Sequence, residues 1–427
     1  MNYQLLQGDN RAVLDAMPAK SIHAIITSPP YFGLRAYSGD QQIEWPTVEY
    51  APMPGLPPIT VGAMRCGLGN EPTLEAYIGH LILCLRSWHR VLRNDGCAFV
   101  NLGDSYANDG KWGGTSGGKH VNALHGDTGI GRGKQFTGLK PKDLCLVPAR
   151  FALAAQAAGW YVRSRIIWAK GVSFLPDYAG SCMPESVTDR PTKSDEDIYL
   201  LTKQASYYWD NDAVKEKSVA GYNGSRFDVG KSADARKHLA AISTKDRSNQ
   251  DGSSGRSLRS VWVINPQGYD GAHFAVWPEK LVAPMVKAST SEHGCCAQCG
   301  APWERVVEKT MPPLRTVKTT GPHGTHGLLG GSRFDDPIVT TTTGWQATCT
   351  CAADVIPCTV CDPFNGSGTT GAVACAHNRN YIGIDLSADY IELAHERIRE
   401  AINESGRAYI APVCKVADFV DLPLFGG

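Results

Sequence analysis

The stretch "CDPFNGSGTTG" (Cys361 to Gly371) constrains this chain more than any other. Gly366, Gly368 and Gly371 form the pattern G-x-G-x-x-G. It follows a short apolar, β-prone run and precedes the helix-forming "AVACAHN", after which "YIGIDL" reads as the next strand. Strand, tight turn, helix and strand make a βαβ unit, and such a unit requires a parallel pairing with the helix on one face. The glycines have mechanical reasons to be there: without a Cβ the backbone can turn sharply and come close to a ligand. Asp385 ends the second strand, nineteen residues after Gly366. A carboxylate there can take both hydroxyls of a ribose.

The same alternation runs through the rest of the 427 residues. "YQLLQGD", "RAVLDAM" and "IHAIITS" read as strand, helix, strand. From Pro72 a helix is expected, because Leu74, Tyr77, Ile78, Leu81, Ile82, Leu85, Trp88, Val91 and Leu92 keep a three-to-four spacing. "CAFVNLGDSY" is a strand, "DLCLVPARFALAAQAAG" a helix and "WYVRSRIIWAK" a strand. "DIYLLTK" with "SYYWD" reads as a β-hairpin, and "FAVWPEKLVAPMVKAS" as a helix region. Residues 37–70 and 107–138 read as long surface loops, the second of them Gly-rich and mobile. Strands alternating with helices imply an α/β fold: a mixed, mostly parallel sheet covered on both faces.

One strand ends abruptly. "AIITSPPYFGL" (Ala24 to Leu34) begins as a buried strand and then meets Pro29-Pro30, which cannot continue a ladder and hold the backbone rigid. Ser28 and Tyr31 are thereby offered to whatever lies beyond the strand end. In open α/β sheets ligands bind outside the carboxyl ends of strands. Placed in one sheet and in one direction, the ends at Ser28 and at Phe364 would meet at a single crevice.

The bare glycine pattern suits a nicotinamide dinucleotide. Asp362, just before the turn, would repel a pyrophosphate but suit a ligand carrying an amine or a sulfonium, and S-adenosylmethionine carries both together with a ribose. A phosphate-binding P-loop is excluded at this turn, since no Lys-Ser/Thr follows, and "GIGRGKQ" (Gly129 to Gln135) lacks that motif's first glycine.

"ITSPPYFGL" near one end with "DPFNGSGTTG" near the other resembles the DNA amino-methyltransferases of the β motif order. "GDN" (Gly8 to Asn10), "HRVLRNDGCAFVNLGDSY", "RIIWAKGVSFLP", "ESVTDRPTKSDEDIYLLTK" and "HFAVWPEKLVAPMV" are similar to that family's other motifs, so the likeness runs from about residue 3 to 400. The resemblance implies a Rossmann-like sheet with a circularly permuted motif order: catalytic strand first, target recognition in the middle, cofactor turn last. It implies that S-adenosylmethionine is held by Asp9, Asp362, Phe364, Gly366, Ser367, Gly368 and Asp385, and that Ser28, Pro29, Pro30 and Tyr31 form the catalytic corner. The expected organisation is a catalytic half over 1–213, a target-recognition insertion over 214–260, a cofactor half over 261–292 and 353–427, and a Cys-rich insertion over 293–352.

The chemistry fits such a corner. The exocyclic amine of cytosine or adenine is a poor nucleophile because its lone pair is delocalised into the ring. Ser28 Oγ and the Pro29 carbonyl are suited to accept the amine hydrogens, with the prolines holding that carbonyl in place. Tyr31 offers a face on which an extruded base can stack. Asp would be the stronger acceptor at position 28 and is frequent among adenine enzymes of the family. "TSPPY" is instead similar to the cytosine-N4 subset, and the adenine-N6 reading stays open. An oxidoreductase would not account for Ser-Pro-Pro-Tyr, and a DNA-binding protein without catalysis would keep only the basic insert and the cysteines. A cytosine-C5 enzyme needs a Pro-Cys nucleophile; Pro357-Cys358 lies in the strand feeding the glycine turn and reads as packing.

Fourteen cysteines without an export signal favour metal ligation over disulfides. Cys296-x-x-Cys299 and Cys349-x-Cys351 supply four thiolates, the donor set of a closed structural zinc site. Cys295 could stand in for Cys296, and Cys358-x-x-Cys361 could supply a pair. Forty-two basic residues balance forty-two acidic ones, so DNA contact must be local. Residues 215–260, with ten Lys/Arg against five Asp/Glu, are the segment for it. Double-stranded DNA is the expected partner, and a restriction endonuclease, where coupled, would be a separate chain. No run of eighteen apolar residues is present, so a membrane span and a signal peptide are not expected and a cytoplasmic location is.

Overall fold

The computed structural model describes residues 1–33, 41–107, 137–173, 180, 182, 185, 187–217, 255–267, 276–310, 339–406 and 413–415. Most of the Gly-rich loop 107–138 and of the basic segment 215–260 lies outside the described residues. The chain divides into two compact units. One comprises 1–209, 259–302 and 349–427; the other comprises 210–258 and 303–348.

The larger unit is built on a nine-stranded sheet. Its strands are β1 (Tyr3–Gln7), β2 (Ile22–Thr27), β3 (Leu92–Leu102), β4 (Tyr161–Ala169), β5 (Asp195–Thr202), β6 (Val261–Val263), β7 (Thr359–Asp362), β8 (Asn380–Asp385) and β9 (Val413–Lys415). In space they run β6-β4-β5-β3-β2-β7-β8-β1-β9. All neighbours are parallel except β5, which is antiparallel to both β3 and β4. This is the mixed, mostly parallel sheet the alternating pattern implies.

The helices are α1 (Asn10–Ala16), α2 (Leu74–Val91), α3 (Val147–Ala157), α4 (Glu279–Ser289), α5 (Thr369–Ala376) and α6 (Ala388–Glu404). They form two layers: α2 packs on α1 and α3, and α5 packs on α4 and α6. The central strand β2 serves both layers, as the alternation of strand side chains requires. In β2, Ile25 joins the core around α2, while Ala24 and Ile26, equally buried, point away from that cluster. Thr73 caps α2, its side chain accepting from the Ala76 amide, and Glu75 in the first turn suits the helix dipole. The predicted apolar stripe is the buried face: Tyr77, Leu81, Leu85 and Trp88 are all sealed from solvent. Each such side chain contributes roughly 1.5–3 kcal/mol by burial.

Two expectations need correcting. Residues 37–70 are not merely a surface loop. Ile43–Trp45 pairs with Met64–Cys66, and Val48–Tyr50 pairs with Ile59–Val61. Trp45, Val48 and Tyr50 are buried in the core around α2, against helix positions such as Gly79, where a Cβ would lie 2.9 Å from Val48. Nor do "DIYLLTK" and "SYYWD" form a hairpin. The first is β5, whose partners are the distant β3 and β4, while Ser206–Asp210 is not a strand.

In the smaller unit Glu304–Thr310 and Val339–Gln346 form an antiparallel ribbon with an irregularity between Val306 and Val307. Arg305 pairs there with the buried Asp210 at 3.0 Å. Among the described residues no helix is long and apolar enough to cross a membrane.

Candidate active site

β2 and β7 are direct neighbours and parallel, with Ala24 opposite Val360 and Ile25 opposite Cys361. The two motifs, more than 330 residues apart, therefore end side by side. Their junction is tied by Asp362. Its Oδ1 accepts from Thr27 Oγ1 at 2.6 Å and from the Phe364 amide at 3.1 Å, and its Oδ2 accepts from Thr370 Oγ1 at 2.8 Å. Burial pushes the Asp362 carboxyl up to about 6 against the opposing pull of these hydrogen bonds.

The glycine turn is built as its spacing suggests. Gly366 (φ +50°) and Gly368 (φ +78°) take left-handed conformations. A Cβ on Gly368 would lie 2.7 Å from the Ala394 Cβ of α6, and one on Gly371 would lie 2.5 Å from the Tyr381 ring. Gly366 makes the close turn, and the other two let α5 pack against α6 and β8. Asp385 Oδ2 accepts from the Gly366 amide at 2.8 Å, and its Oδ1 accepts from the Ser387 amide at 2.9 Å. Burial raises this carboxyl to about 6 as well.

The Ser-Pro-Pro-Tyr corner is held from two sides. Tyr77 of α2 donates to the Pro30 carbonyl at 2.8 Å. Gly69 and Gly103 crowd Tyr31 so closely that a Cβ on either would come within 2.7 Å of it. Among the described residues no donor reaches the Pro29 carbonyl. The Tyr31 hydroxyl sits at the centre of a polar network. Asn101 Nδ2 donates to it at 2.7 Å, and it lies 2.7 Å from Glu196 Oε2 and 3.2 Å from Ser28 Oγ. Asn101 also donates to Glu196 Oε2 at 2.8 Å, and Lys170 pairs with Glu196 Oε1. The directions are forced. The carboxylate of this ion pair can only accept, so Tyr31 must spend its one hydrogen on it. Ser28 must then donate its own hydrogen to Tyr31.

A cavity of about 350 Å³ lies over these strand ends. Asp9, Ser28, Pro29, Pro30 and Tyr31 line it on one side, and Asp362, Phe364, Gly366, Ser367 and Asp385 on the other. Of the residues singled out in sequence, Gly368 is not on its wall; it packs on α6 instead. Asp9 also caps α1 through the Arg11 amide and pairs with the Arg11 side chain at 2.5 Å. Ser367 Oγ accepts from the buried Arg397 at 3.2 Å, and Phe364 meets Trp88 edge-on. S-adenosylmethionine fits this donor set better than a dinucleotide does. The Gly366 amide that a pyrophosphate would need is already taken by Asp385, and four carboxylates, those of Asp9, Glu196, Asp362 and Asp385, face the cavity.

Sequence reading missed Asn101, Trp168, Lys170 and Glu196, all on the cavity wall. The signal for Asn101 was a polar residue inside the apolar run "CAFVNL". For Glu196 it was three consecutive carboxylates, Asp195 to Asp197, opening an otherwise apolar strand.

Away from the cavity, the sulfurs of Cys296, Cys299, Cys349 and Cys351 lie within 4.8 Å of one another. Cys295 is not part of that group; its sulfur lies with His23 and Cys358. Cys361 is buried in β7, and Cys358, fully buried, is not on the cavity wall.

Comparison with known proteins follows the same lines. The chain is 28% identical over 398 residues to the type II methyltransferase M.Cfr9I of Citrobacter freundii, covering 92% of this chain and 87% of that one. It is 29% identical over 400 residues to the type II methyltransferase M.SmaI of Serratia marcescens, covering 92% and 90%. Among solved structures, the PvuII DNA methyltransferase (cytosine-N4-specific) aligns with a TM-score of 0.46 at 14% identity, over 95% of this chain and 93% of that one. The profile of the DNA methylase family that joins N6 and N4 enzymes matches residues 22–297 and 358–396, which span both the Ser-Pro-Pro-Tyr corner and the glycine turn. With its two diagnostic motifs meeting at one cavity, the chain belongs to this family and is an S-adenosylmethionine-dependent DNA methyltransferase.

Proposed function

We propose that the enzyme methylates the exocyclic N4 amine of a cytosine turned out of double-stranded DNA. The observation that carries this reading is the direction of the Ser28 hydroxyl. Its only hydrogen goes to Tyr31, so what Ser28 offers the cavity is lone pairs. The Pro29 carbonyl, on the same wall, is a second acceptor. Two acceptors facing one amine favour a pyramidal nitrogen with a localised lone pair, and their fixed placement means little reorganisation during reaction. Bound S-adenosylmethionine supplies a methyl group activated by its sulfonium. Asp9, Asp362 and Asp385 provide the negative wall for it, with Phe364, Gly366 and Ser367 shaping the turn and Gly368 letting that turn pack. Ser at position 28, where a carboxylate would serve adenine, supports cytosine over adenine-N6.

Incubating the protein with labelled cofactor and unmethylated genomic DNA, then digesting to nucleosides, should place the label in N4-methylcytosine. Label in N6-methyladenine would move the reading to the other amine. Label in 5-methylcytosine alone would sink it.

The same reading gives the four gathered thiols a structural zinc ion, since four sulfurs at such spacing suit a closed tetrahedral site. Elemental analysis of protein purified without chelator should return about one zinc per chain. Protein free of zinc would remove the ion from this account. A cognate endonuclease, where one accompanies the enzyme, is a separate chain.

A further inference from the structure

We propose that Glu196, acting through Tyr31, is the sink for the proton that the methylated amine must lose. This rests on the amine-methylation reading above and extends it to residues on β3, β4 and β5. An exocyclic nitrogen that has gained a methyl group carries a positive charge and still holds hydrogen. It becomes neutral only when one N–H bond breaks, and a buried site needs a path for that proton.

The structure contains a single-file path. Ser28 Oγ donates to the Tyr31 hydroxyl at 3.2 Å, and that hydroxyl donates to Glu196 Oε2 at 2.7 Å. The N–H bond breaks as Ser28 Oγ takes the proton. The hydrogen Ser28 held passes to Tyr31, and the hydrogen Tyr31 held passes to Glu196. Each hydroxyl ends with one hydrogen, as it began. The amine ends neutral and Glu196 ends as a neutral acid, so charge and atoms balance. Glu196 then returns its proton to solvent.

The surrounding groups hold this chain in one direction. Asn101 is buried and donates both to Tyr31 and to Glu196, so it cannot reverse the flow. Lys170 pairs with the other oxygen of Glu196 and lies over the Trp168 ring, 4.6 Å from its centroid. Glu196 Oε2 is thereby left to Tyr31 and Asn101. Glu196, Asn101 and Lys170 are positioning residues, since none is argued to touch the base.

The test uses the full-length enzyme and a duplex bearing its own site, found by sequencing modified bases in DNA from a host that expresses it. Tyr31→Phe keeps the ring for stacking and removes the relay hydroxyl. Glu196→Gln keeps an acceptor for Tyr31 that cannot take a proton. Both should lower the single-turnover methylation rate about 100-fold, in the range of a lost acid–base step. Dissociation constants for duplex and for S-adenosylmethionine should stay within about threefold of wild type, as expected for an interaction made only in the transition state. The solvent deuterium effect on the wild-type rate should bow with deuterium fraction, because several protons move, and should flatten in Tyr31→Phe. A Tyr31→Phe enzyme that methylates at the wild-type rate would overturn the relay, even if Glu196→Gln fails to fold. So would a rate loss matched by an equal loss of affinity. If the wild-type enzyme methylates no exocyclic amine, the reading beneath the relay fails, and the relay with it.

Discussion

Gly103 shows how tightly one residue can specify another. It follows β3 directly, and a Cβ there would lie 2.6 Å from both Cδ2 and Cε2 of Tyr31. Gly103→Ala must therefore push the Tyr31 ring off its seat and its hydroxyl away from Asn101 and Glu196. Overpacking of this kind costs about 1–3 kcal/mol. Because Tyr31 lines the cavity in the proposed catalytic corner, methylation should fall more than tenfold, on the order of a lost acid–base interaction, while the melting temperature drops by only a few degrees. Activity within twofold of wild type would mean that Tyr31 can reach its partners from another seat. The two acids at the strand ends give a second prediction at this scale. Burial holds the Asp362 and Asp385 carboxyls up at about 6. Their ionised forms suit a cationic cofactor, so affinity for S-adenosylmethionine should fall several-fold as pH drops from 7 through 6 to 5. Stability runs the other way. An unfolded Asp titrates near 3.9, so between about 4 and 6 the native state binds more protons than the unfolded chain. The contribution of these two groups to unfolding free energy therefore rises as pH falls through that window. Calorimetric titration and urea melts at matched pH values separate the two effects; affinity flat between pH 7 and 5 would take both acids out of cofactor binding.

At the scale of elements, α2 holds the Ser-Pro-Pro-Tyr corner as well as the core. Its buried Tyr77 donates to the Pro30 carbonyl, and the rigid Pro29-Pro30 pair transmits that anchor to Ser28 and Tyr31. Tyr77→Phe leaves the ring in the core and strips the carbonyl of its partner. The expected cost is about 1–3 kcal/mol, with kcat reduced and the KM for S-adenosylmethionine little changed. Unchanged kcat with the full loss of stability would confine Tyr77 to the core. This helix, the strand before the prolines and the turn after β7 were legible because periodicity and glycine spacing are local signals. The ribbons over residues 43–66 were not. Their burial depends on a groove that exists only once α2 is folded, and Pro- and Gly-rich sequence reads as loop until that groove is known. β5 was legible as a strand, but its partners were not, since "SYYWD" is near in sequence while β3 and β4 are far. Glu196 was lost with that pairing. Only the true register sets it beside Trp168 on β4, next to the strand that carries Asn101.

Across the whole larger unit, the strand order explains how motifs from both ends of the sequence serve one cavity. β2 and β7 lie side by side, so the corner after Thr27 and the turn after Asp362 open at the same edge of the sheet. The cysteine cluster is tied to the opposite end of these two strands. His23, near the start of β2, accepts from the Thr359 amide through Nδ1 at 3.0 Å. Its Nε2 must then carry the ring hydrogen, and it meets the Gly300 carbonyl at 2.8 Å. Arg93 of β3 donates to the Cys299 carbonyl at 2.7 Å. Gly300 and Cys299 belong to the turn that carries two of the four gathered thiols, so the proposed zinc ion would steady the first residues of β2 and β7 through these carbonyls. The two ends of β7, Thr359 and Asp362, lie about 10 Å apart, which separates that end from the cavity. Metal removal should therefore act on stability and not on the chemistry. Stripping zinc with a chelator, or Cys299→Ser, should lower the melting temperature and speed hydrogen exchange at the Thr359 amide. Below the transition, affinity for S-adenosylmethionine should stay within about threefold, because a structural zinc contributes folding energy and no ligand to the reaction. Slow exchange at Thr359 in metal-free protein would disconnect the cluster from the sheet. Loss of cofactor affinity in protein that is still folded would mean instead that strain passes along β7 to the carboxyl end of the strand.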